Sequence, residues 1–261
     1  MIVQRVLSGL KDQLIAWRTS RTRCLLDPPD PSELVQQPFQ HECELRQYLK
    51  NREVSVVFDV GACNAVDSIR YSKLFPTATV YAFEPLPQNI KQAKKNIRAF
   101  GGDRVKLVEA ALSDSIGPAE FYVSGGHPPG YKASADWQFG AMSSSLLEPD
   151  EVAIQSQWSW LEFRKTTTIE TLTLNHFCEA NEISEVGLMH LDVQGAELKV
   201  LNGAGDFLSK IHAIWLEVSS EKFYRNQPLA SELCIRLSDA GFNRMHSSGA
   251  GPQWDELWVR A

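Results

Sequence analysis

The sequence predicts an α/β fold in which helices cover both faces of a mostly parallel sheet. Strand-like apolar segments alternate with helix-like segments from residue 54 onward, and such alternation is typical of a doubly wound sheet. The first strand-like segment, VSVVFDV, is apolar almost throughout, as expected at the centre of a parallel sheet. A chain of 261 residues with 43% hydrophobic and 22% charged residues is large enough for one such domain.

The first half of the domain alternates regularly. Pro76 ends an amphipathic helix, and a later helix opens with prolines and ends at Gly101 and Gly102, which are common stop signals. Together these signals predict three strands joined by two helices, with another helix before them. The strands are predicted at 54–60, 78–84 and 105–112, and the helices at 39–51, 64–75 and 85–100.

The alternation breaks in the middle of the chain. Two segments, 119–124 and 166–174, have the pattern of antiparallel strands and flank a long stretch without clear elements. Loops of this length are often lids or binding loops, so we expect a lid or acceptor-binding insertion over 124–165. Its aromatic residues could form a small core or a platform on which a sugar ring stacks. They are Tyr131, Trp137, Phe139, Trp158, Trp160 and Phe163.

The alternation then resumes and ends in a hairpin. A Gly/Pro-containing segment joins the last two strands, which predicts that they are antiparallel. The remaining strands are predicted at 186–193, 211–218, 242–246 and 255–260, and the helices at 172–181, 195–208 and 228–241.

Residues 1–53 are predicted to be a helical extension and linker that precede a domain over 54–261. Residues 1–23 contain five basic residues and one acidic residue, with apolar positions at helical spacing. Such a helix could dock on the domain or on a second subunit, lie on an anionic membrane surface, or be a tail. The prolines of 27–33 argue against helix or strand there. No apolar run is long enough to span a membrane.

Charge and cysteine content limit the class of protein further. A net charge of −6 argues against a nucleic-acid partner, because nucleic-acid binding needs clustered Lys and Arg. Five scattered cysteines without a CxxC pair fit free thiols in a reducing compartment. These observations predict a cytoplasmic protein, with membrane association as an alternative through the basic N-terminal helix.

Four acidic residues, Asp59, Glu84, Asp192 and Glu217, end predicted strands of the sheet. Ligands of open α/β sheets bind beyond these strand ends, and an acid after the second strand can accept hydrogen bonds from a ribose diol. Each acid could instead cap a neighbouring helix.

The loop after the first strand narrows the ligand. It has one glycine, Gly61, where a dinucleotide site has three, so a pyrophosphate is poorly served. A nucleoside with an ammonium and a carboxylate fits better, with Asp59 near the ammonium and loop N–H groups around the rest. S-adenosylmethionine matches this description.

Five blocks of sequence resemble the motifs of the FkbM-type S-adenosylmethionine-dependent methyltransferases, in the family's order, over residues 54–260. The blocks are FDVGACNAVDS, VYAFEPLPQNIKQAKKN, VEAALSDSIGPAEFYVS, LMHLDVQGAELKVLNGA and DELWVR. The resemblance implies a Rossmann-like class I methyltransferase fold with a seven-stranded sheet and a C-terminal antiparallel hairpin. It also implies S-adenosylmethionine as cofactor and O-methylation of a sugar or secondary metabolite, hence a small-molecule or glycoside acceptor.

The same blocks suggest the residues of the site. His190 and Gln194 depart from the family's usual lysine and glutamate, so the proton-transfer scheme could differ. Residues expected to bind the cofactor are Asp59, Gly61, Ala62, Asn64, Glu84, Pro85, Asn89, Ser113, Asp114, Asp192 and Val193.

Methylation of a hydroxyl needs an aligned nucleophile and a proton acceptor more than covalent machinery. By topology, the candidate catalytic residues are Asp192, His190 and Glu217, although a histidine in an apolar strand is more often a core residue. The remaining histidines show no metal-ligand spacing, and we expect no metal. Two alternatives stay open: a non-catalytic S-adenosylmethionine-binding or scaffold protein, and an NAD-dependent oxidoreductase, for which the glycines are missing.

Overall fold

The computed structural model describes residues 30–39, 41–131, 139–249 and 251–261. Its strands are β1 (Val56–Val60), β2 (Thr79–Phe83), β3 (Val105–Val108), β4 (Ala111–Leu112), β5 (Gly117–Gly125), β6 (Glu162–Leu172), β7 (Leu188–Leu191), β8 (Ala213–Ser219), β9 (Phe242–Ser247) and β10 (Gln253–Arg260). Its α-helices are α1 (Pro31–Leu34), α2 (Glu42–Leu49), α3 (Val66–Leu74), α4 (Pro87–Asn96), α5 (Glu151–Gln157), α6 (Leu174–Ala180), α7 (Glu197–Gly203) and α8 (Ala230–Asp239).

Seven strands form the main sheet in the order β3-β2-β1-β7-β8-β10-β9. Neighbouring strands pair in parallel from β3 to β8, whereas β10 is antiparallel to both β8 and β9. The strand order reverses between β1 and β7, so a crevice opens beyond the carboxyl ends of these two strands. This topology confirms the predicted fold class, including the C-terminal hairpin.

Hydrophobic layers cover both faces of the main sheet. Phe58 and Val60 point to one face, where α6, α7 and α8 pack, while Val57 points to the other face, where α2 and α3 pack. Successive strand residues alternate between faces, which explains why nearly every residue of β1 is apolar. The main sheet therefore has a hydrophobic layer packed on each face.

A small second sheet carries the middle of the chain. Its order is β4-β6-β5, and β5 pairs with β6 in antiparallel fashion, as predicted. The prediction of one strand over 105–112 is wrong. β3 ends at Val108, and Ala111 and Leu112 leave the main sheet to pair with Thr171 and Leu172 of β6.

Three other predictions of local structure are corrected. A short helix, α1, occupies part of the segment from which helix was excluded, because proline is tolerated in a first helical turn and Asp30 caps the Ser32 N–H at 2.8 Å. The segment 125–163 contains α5, whose Asp150 side chain accepts from the Ala153 N–H at 3.1 Å. The helices over 85–100 and 195–208 continue as a π-helix (Ile97–Gly101) and a 3₁₀-helix (Gly205–Lys210).

The described part of the N-terminal segment belongs to the core of the domain. Val35, Phe39, Leu45 and Leu49 are buried in the same cluster as Trp215 of β8. The predicted basic helix over 1–23 lies outside the described residues. Among the residues that the structure does describe, no helix has the length and apolarity needed to cross a membrane.

Candidate active site

A cleft of about 510 Å³ lies beyond the carboxyl ends of β1, β2 and β7, where the strand order reverses. Polar groups of Glu84 and Asp192 face the cleft, and its walls are largely apolar. The predicted residues Gly61, Glu84, Pro85, Asn89, Asp192 and Val193 line it, with apolar walls from Phe83, Leu112, Phe121, Met142 and Leu146.

Glu84 is held at the floor of the cleft by the backbone. Its Oε2 accepts from the Cys63 N–H at 2.9 Å and its Oε1 from the Leu86 N–H at 2.8 Å, and Asn89 adds a side-chain hydrogen bond. Burial raises the pKa of Glu84 to about 7, against the lowering by these donors. Each carboxylate oxygen keeps a further lone pair, which a ligand hydroxyl can use.

The first loop makes a tight approach to β7. Gly61 has φ +92°, and a Cβ there would lie 1.8 Å from the Asp192 carbonyl oxygen, so only glycine fits. The N–H groups of Gly61 and Ala62 donate to the Phe83 carbonyl at 3.1 and 3.0 Å, and that of Cys63 donates to Glu84. Contrary to the sequence-based expectation, these three N–H groups are satisfied within the protein.

Two carboxylates meet at one amide beside the cleft. Gln194 Nε2 donates to Asp192 Oδ1 at 2.6 Å and to Glu217 Oε2 at 3.2 Å, and Gln253 donates to the same Glu217 oxygen at 3.2 Å. Burial, followed by the nearby negative charge of Asp192, raises the pKa of Glu217 well above its ordinary value. Burial also raises the pKa of Asp192, although His190 and the Gln194 hydrogen bond oppose it. Burial and the charge of Asp192 therefore favour a proton on Glu217, whereas His190 and Gln194 favour the carboxylate form of Asp192.

A second cavity, of about 750 Å³, adjoins the first. The two cavities share Met142, Asp192 and Gln194, so Asp192 lies where they meet. Glu217 borders the second cavity alone. Four aromatic side chains also line this second cavity: Trp158, Trp160, Phe223 and Tyr224.

The predicted insertion covers this second cavity and is tied down on both sides. The Tyr224 hydroxyl donates to the Ser143 carbonyl at 2.7 Å, and the Ser145 hydroxyl donates to the Gln194 carbonyl at 2.8 Å. The Asp150 N–H donates to the Phe223 carbonyl at 2.8 Å. We call residues 139–161 the lid.

Two of the predicted aromatic residues, Trp158 and Trp160, lie in the lid. Trp158 and Trp160 pack in a small apolar cluster with Ile154 and Leu161, and they also line the second cavity. Trp137 lies outside the described residues, and the Phe139 side chain is not described.

Five residues expected to bind the cofactor do not line the cleft. Asp59 accepts from the Ser68 hydroxyl and pairs with His190, so its carboxylate is turned away from the cleft. Ala62 is buried in the core, and Asn64 Oδ1 accepts from the Val66 N–H at 3.2 Å. Asn64 therefore serves the start of α3.

The remaining two, Ser113 and Asp114, lie at the edge of the small sheet. Asp114 forms an ion pair with Lys199 at 3.1 Å, and the Ser113 hydroxyl donates to Asp114 at the same distance. The adjacent Ala111 and Leu112 line the cleft instead. A shift of two residues along an irregular turn is beyond what a sequence pattern resolves.

His190, a candidate catalytic residue, lines neither cavity as described. Its Nδ1 lies 3.0 Å from Asp59 Oδ1 of the neighbouring strand β1. Burial disfavours its charged form, but the hydrogen bond and charge of Asp59 outweigh burial and raise its pKa to about 9. His190 is therefore a protonated, buried partner of Asp59.

Sequence analysis missed Gln253 and Tyr224 and gave Gln194 no role. Gln194 was visible as a departure from the family pattern, and its φ of +54° belongs to a tight turn after β7. Tyr224 comes from the loop after β8 and Gln253 from the start of β10, both far from Asp192 in the sequence, so no local pattern could have linked them to it. The described residues contain no group of three or more His, Cys, Asp or Glu arranged for a metal ion.

The cleft fits a nucleoside with a charged tail. Its apolar walls suit a purine, the buried Glu84 carboxylate suits a ribose diol, and Asp192 suits a positive charge at the junction with the second cavity. Sheet order and cleft position together define a class I, Rossmann-like methyltransferase fold.

Comparison with known proteins narrows this class to a family. The chain is 30% identical over 172 residues to the 2-O-methyltransferase NoeI of Sinorhizobium fredii, covering 66% of each chain. It is 26% identical over 181 residues to the 31-O-demethyl-FK506 methyltransferase FkbM of Streptomyces tacrolimicus, covering 66% of this chain and 68% of that protein. Among solved structures, magnesium protoporphyrin IX methyltransferase from Synechocystis PCC 6803 superposes with a TM-score of 0.47 at 12% identity, over 85% of this chain and 79% of its own.

The family model "Methyltransferase FkbM domain" matches residues 59–244. The chain therefore belongs to the FkbM methyltransferase family, and the resemblance stated from its motifs is confirmed. The membership also confirms the assignment to methyltransferases with S-adenosylmethionine as cofactor.

Proposed function

We propose that this protein is an O-methyltransferase that methylates a hydroxyl of a ring-shaped acceptor, most simply a glycoside. The observation that carries the proposal is the meeting of two cavities at Asp192, one shaped for a nucleoside and the other walled by aromatic side chains. The names of the two relatives, each an O-methyltransferase by its name or its demethylated substrate, support the same reaction.

The lining of the second cavity favours a polyhydroxylated ring. Trp158 and Trp160 present flat apolar faces on which the C–H face of a sugar can stack. Glu217 and Gln253 line the same cavity and offer acceptors and donors for hydroxyl groups. Such a pairing of apolar and polar walls would orient an acceptor with one hydroxyl toward Asp192.

S-adenosylmethionine supplies a methyl group already activated on a sulfonium. Glu84 would hold the ribose, and the aromatic wall and Gln253 would hold the acceptor so that its hydroxyl oxygen lies in line with the methyl carbon. Bound S-adenosylmethionine would give its methyl group to the acceptor oxygen and leave as S-adenosylhomocysteine, and Asp192 would accept the hydroxyl proton. Loss of the sulfonium charge raises the proton affinity of Asp192 during the same step.

The donor pattern around Asp192 suits this role. Gln194 donates to one of its oxygens, so the other is free to face the junction of the cavities. Glu217 lies beside it through the same amide. We infer a cytoplasmic setting from the free thiols of the four described cysteines: Cys43, Cys63, Cys178 and Cys234.

A methyl-transfer screen tests the proposal. S-adenosylmethionine with a labelled methyl group is incubated with methyl glycosides, matched aliphatic alcohols without a ring, and matched amino sugars. We expect a base-stable labelled ether from a glycoside, and a Trp160→Ala variant should raise the KM for it by about tenfold while the dissociation constant of S-adenosylhomocysteine is unchanged.

Other outcomes would overturn the proposal. Labelled amine from the amino sugars would make the reaction N-methylation. Tight cofactor binding without transfer to any member of the panel favours the alternative of a non-catalytic binding protein.

A further inference from the structure

The pair of Asp59 and His190 is buried, lines neither cavity and has no part in the mechanism above. The two residues are register partners on the neighbouring strands β1 and β7, and His190 Nδ1 lies 3.0 Å from Asp59 Oδ1. Ser68 of α3 donates to the second Asp59 oxygen, and only 1% of Asp59 is exposed. A fully engaged buried carboxylate of this kind needs a cation beside it.

The pair lies on β1 and β7, the two strands between which the strand order reverses. Residues two apart on a strand share a face, so Asp192, which follows β7, projects to the same side as His190. The titratable groups that interact with or pack against His190 come from every neighbouring element. They are Asp59 of β1, Asp67 and Tyr71 of α3, His41 before α2, Asp192 after β7 and Asp255 of β10.

Among these groups, His190 is the one suited to carry a positive charge. Burial is the main cause that lowers the pKa of His41 well below its ordinary value, and its Nε2 is already hydrogen-bonded to the Tyr71 hydroxyl at 2.6 Å. The other groups are four carboxylates and a tyrosine. A single imidazolium therefore faces several negative charges, of which Asp192 is the one at the junction of the cavities.

We propose that His190 is a positioning residue: paired with Asp59, its positive charge keeps Asp192 in the carboxylate form that meets the sulfonium and then accepts the hydroxyl proton. This inference rests on the proposed role of Asp192. Burial raises the pKa of Asp192, and the charge of His190 is the largest influence that lowers it. Without His190, Asp192 would hold a proton before the cofactor arrives.

Proton release on cofactor binding tests the inference without any acceptor. Calorimetry at pH 7.5 in buffers of different ionisation enthalpy gives the number of protons released on binding S-adenosylmethionine and, separately, S-adenosylhomocysteine. The two ligands share ribose, ammonium and carboxylate and differ in the sulfonium charge, so the difference between them reports on groups near the sulfur.

In the wild-type protein we expect this difference to be near zero, because Asp192 is already ionised. In His190→Gln, S-adenosylmethionine should release about half a proton more than S-adenosylhomocysteine, since the sulfonium then drives Asp192 to ionise. His190→Lys should restore the wild-type value, and adding Asp192→Asn to His190→Gln should abolish the difference. A purely structural role for His190 would lower stability without moving this number.

If the two ligands release equal numbers of protons from His190→Gln, as expected for the wild-type protein, the inference is overturned. Should that variant fail to fold, NMR titration of the wild-type imidazole decides instead: we expect the His190 pKa at about 9, and a value below 7 would contradict its role as a cation. Because neither measurement uses an acceptor, failure of this test can be distinguished from failure of the methylation screen.

Discussion

At the scale of single residues, the donors around each carboxylate decide what that carboxylate can do. Glu84 receives backbone N–H groups and still faces the cleft, whereas both oxygens of Asp59 are taken up by Ser68 and His190. Asp192 has one oxygen on Gln194 and borders both cavities. Three similar acids at neighbouring strand ends therefore have three different tasks.

The first prediction at this scale concerns Glu84. Loss of a charge-assisted hydrogen bond costs about 1.5–3 kcal/mol, so Glu84→Gln should weaken S-adenosylhomocysteine binding by about tenfold to a hundredfold. Calorimetry measures the dissociation constant. Glu109→Gln is the matched control, because Glu109 follows the adjacent strand and forms a surface ion pair with Lys94 at 2.6 Å.

The same variant has a defined pH dependence. The pKa of Glu84 is about 7, so wild-type binding should be strongest above pH 7 and weaken as pH falls through it, because the carboxylate becomes protonated. In Glu84→Gln this weakening should disappear. An unchanged dissociation constant in the folded variant would show that Glu84 does not grip the ribose.

At the scale of elements, the lid and the loop after β8 together line the second cavity, where we propose that the acceptor binds. Tyr224 of that loop donates to Ser143 in the lid, and Arg225 pairs with Glu148 at 2.9 Å. The Arg225 ion pair is exposed and contributes little, whereas the half-buried tyrosine bond fixes where the lid lies against Gln194. Lid opening should therefore depend on Tyr224.

Tyr224→Phe should make the lid open more easily. Removing a hydrogen bond costs about 1 kcal/mol, which corresponds to about fivefold faster limited proteolysis within 139–161. Tyr122→Phe is the control, because its hydroxyl donates to the exposed Glu120. Equal cleavage rates in the two variants would show that the Tyr224 hydroxyl does not hold the lid.

The element scale also shows the limits of sequence patterns. The patterns of β1, β2, α3 and α4 were sufficient to predict them, because the two strands are buried on both faces and each helix buries one regular face. The break between β3 and β4 could not be predicted, since Ala111 leaves one sheet for a partner, Thr171, that is 60 residues away in the chain. Gln194 posed the same difficulty, because one of its carboxylate partners, Asp192, follows β7 and the other, Glu217, lies on β8.

At the scale of the whole molecule, the parallel sheet carries the cofactor cleft, and we propose that the inserted segment selects the acceptor. The cofactor cleft lies at the switch between β1 and β7, and the lid roofs the second cavity next to it. The sequence motifs predicted the first half of this arrangement because they follow the sheet. The shape of the second cavity depends on contacts between the lid and segments that are distant in the sequence, and a local sequence pattern does not predict such contacts.

The measurement that tests this arrangement most directly is single-turnover methyl transfer by Asp192→Asn, alongside titration with S-adenosylhomocysteine. The acceptor is the compound found in the glycoside screen, and Glu217→Gln is the control, because Glu217 borders the acceptor cavity alone. We predict that Asp192→Asn lowers the rate by about a hundredfold or more, as expected for a general base, while cofactor affinity falls far less. Glu217→Gln should affect acceptor binding more than the rate. Equal losses of rate and cofactor affinity in Asp192→Asn would contradict the account and make Asp192 a binding residue.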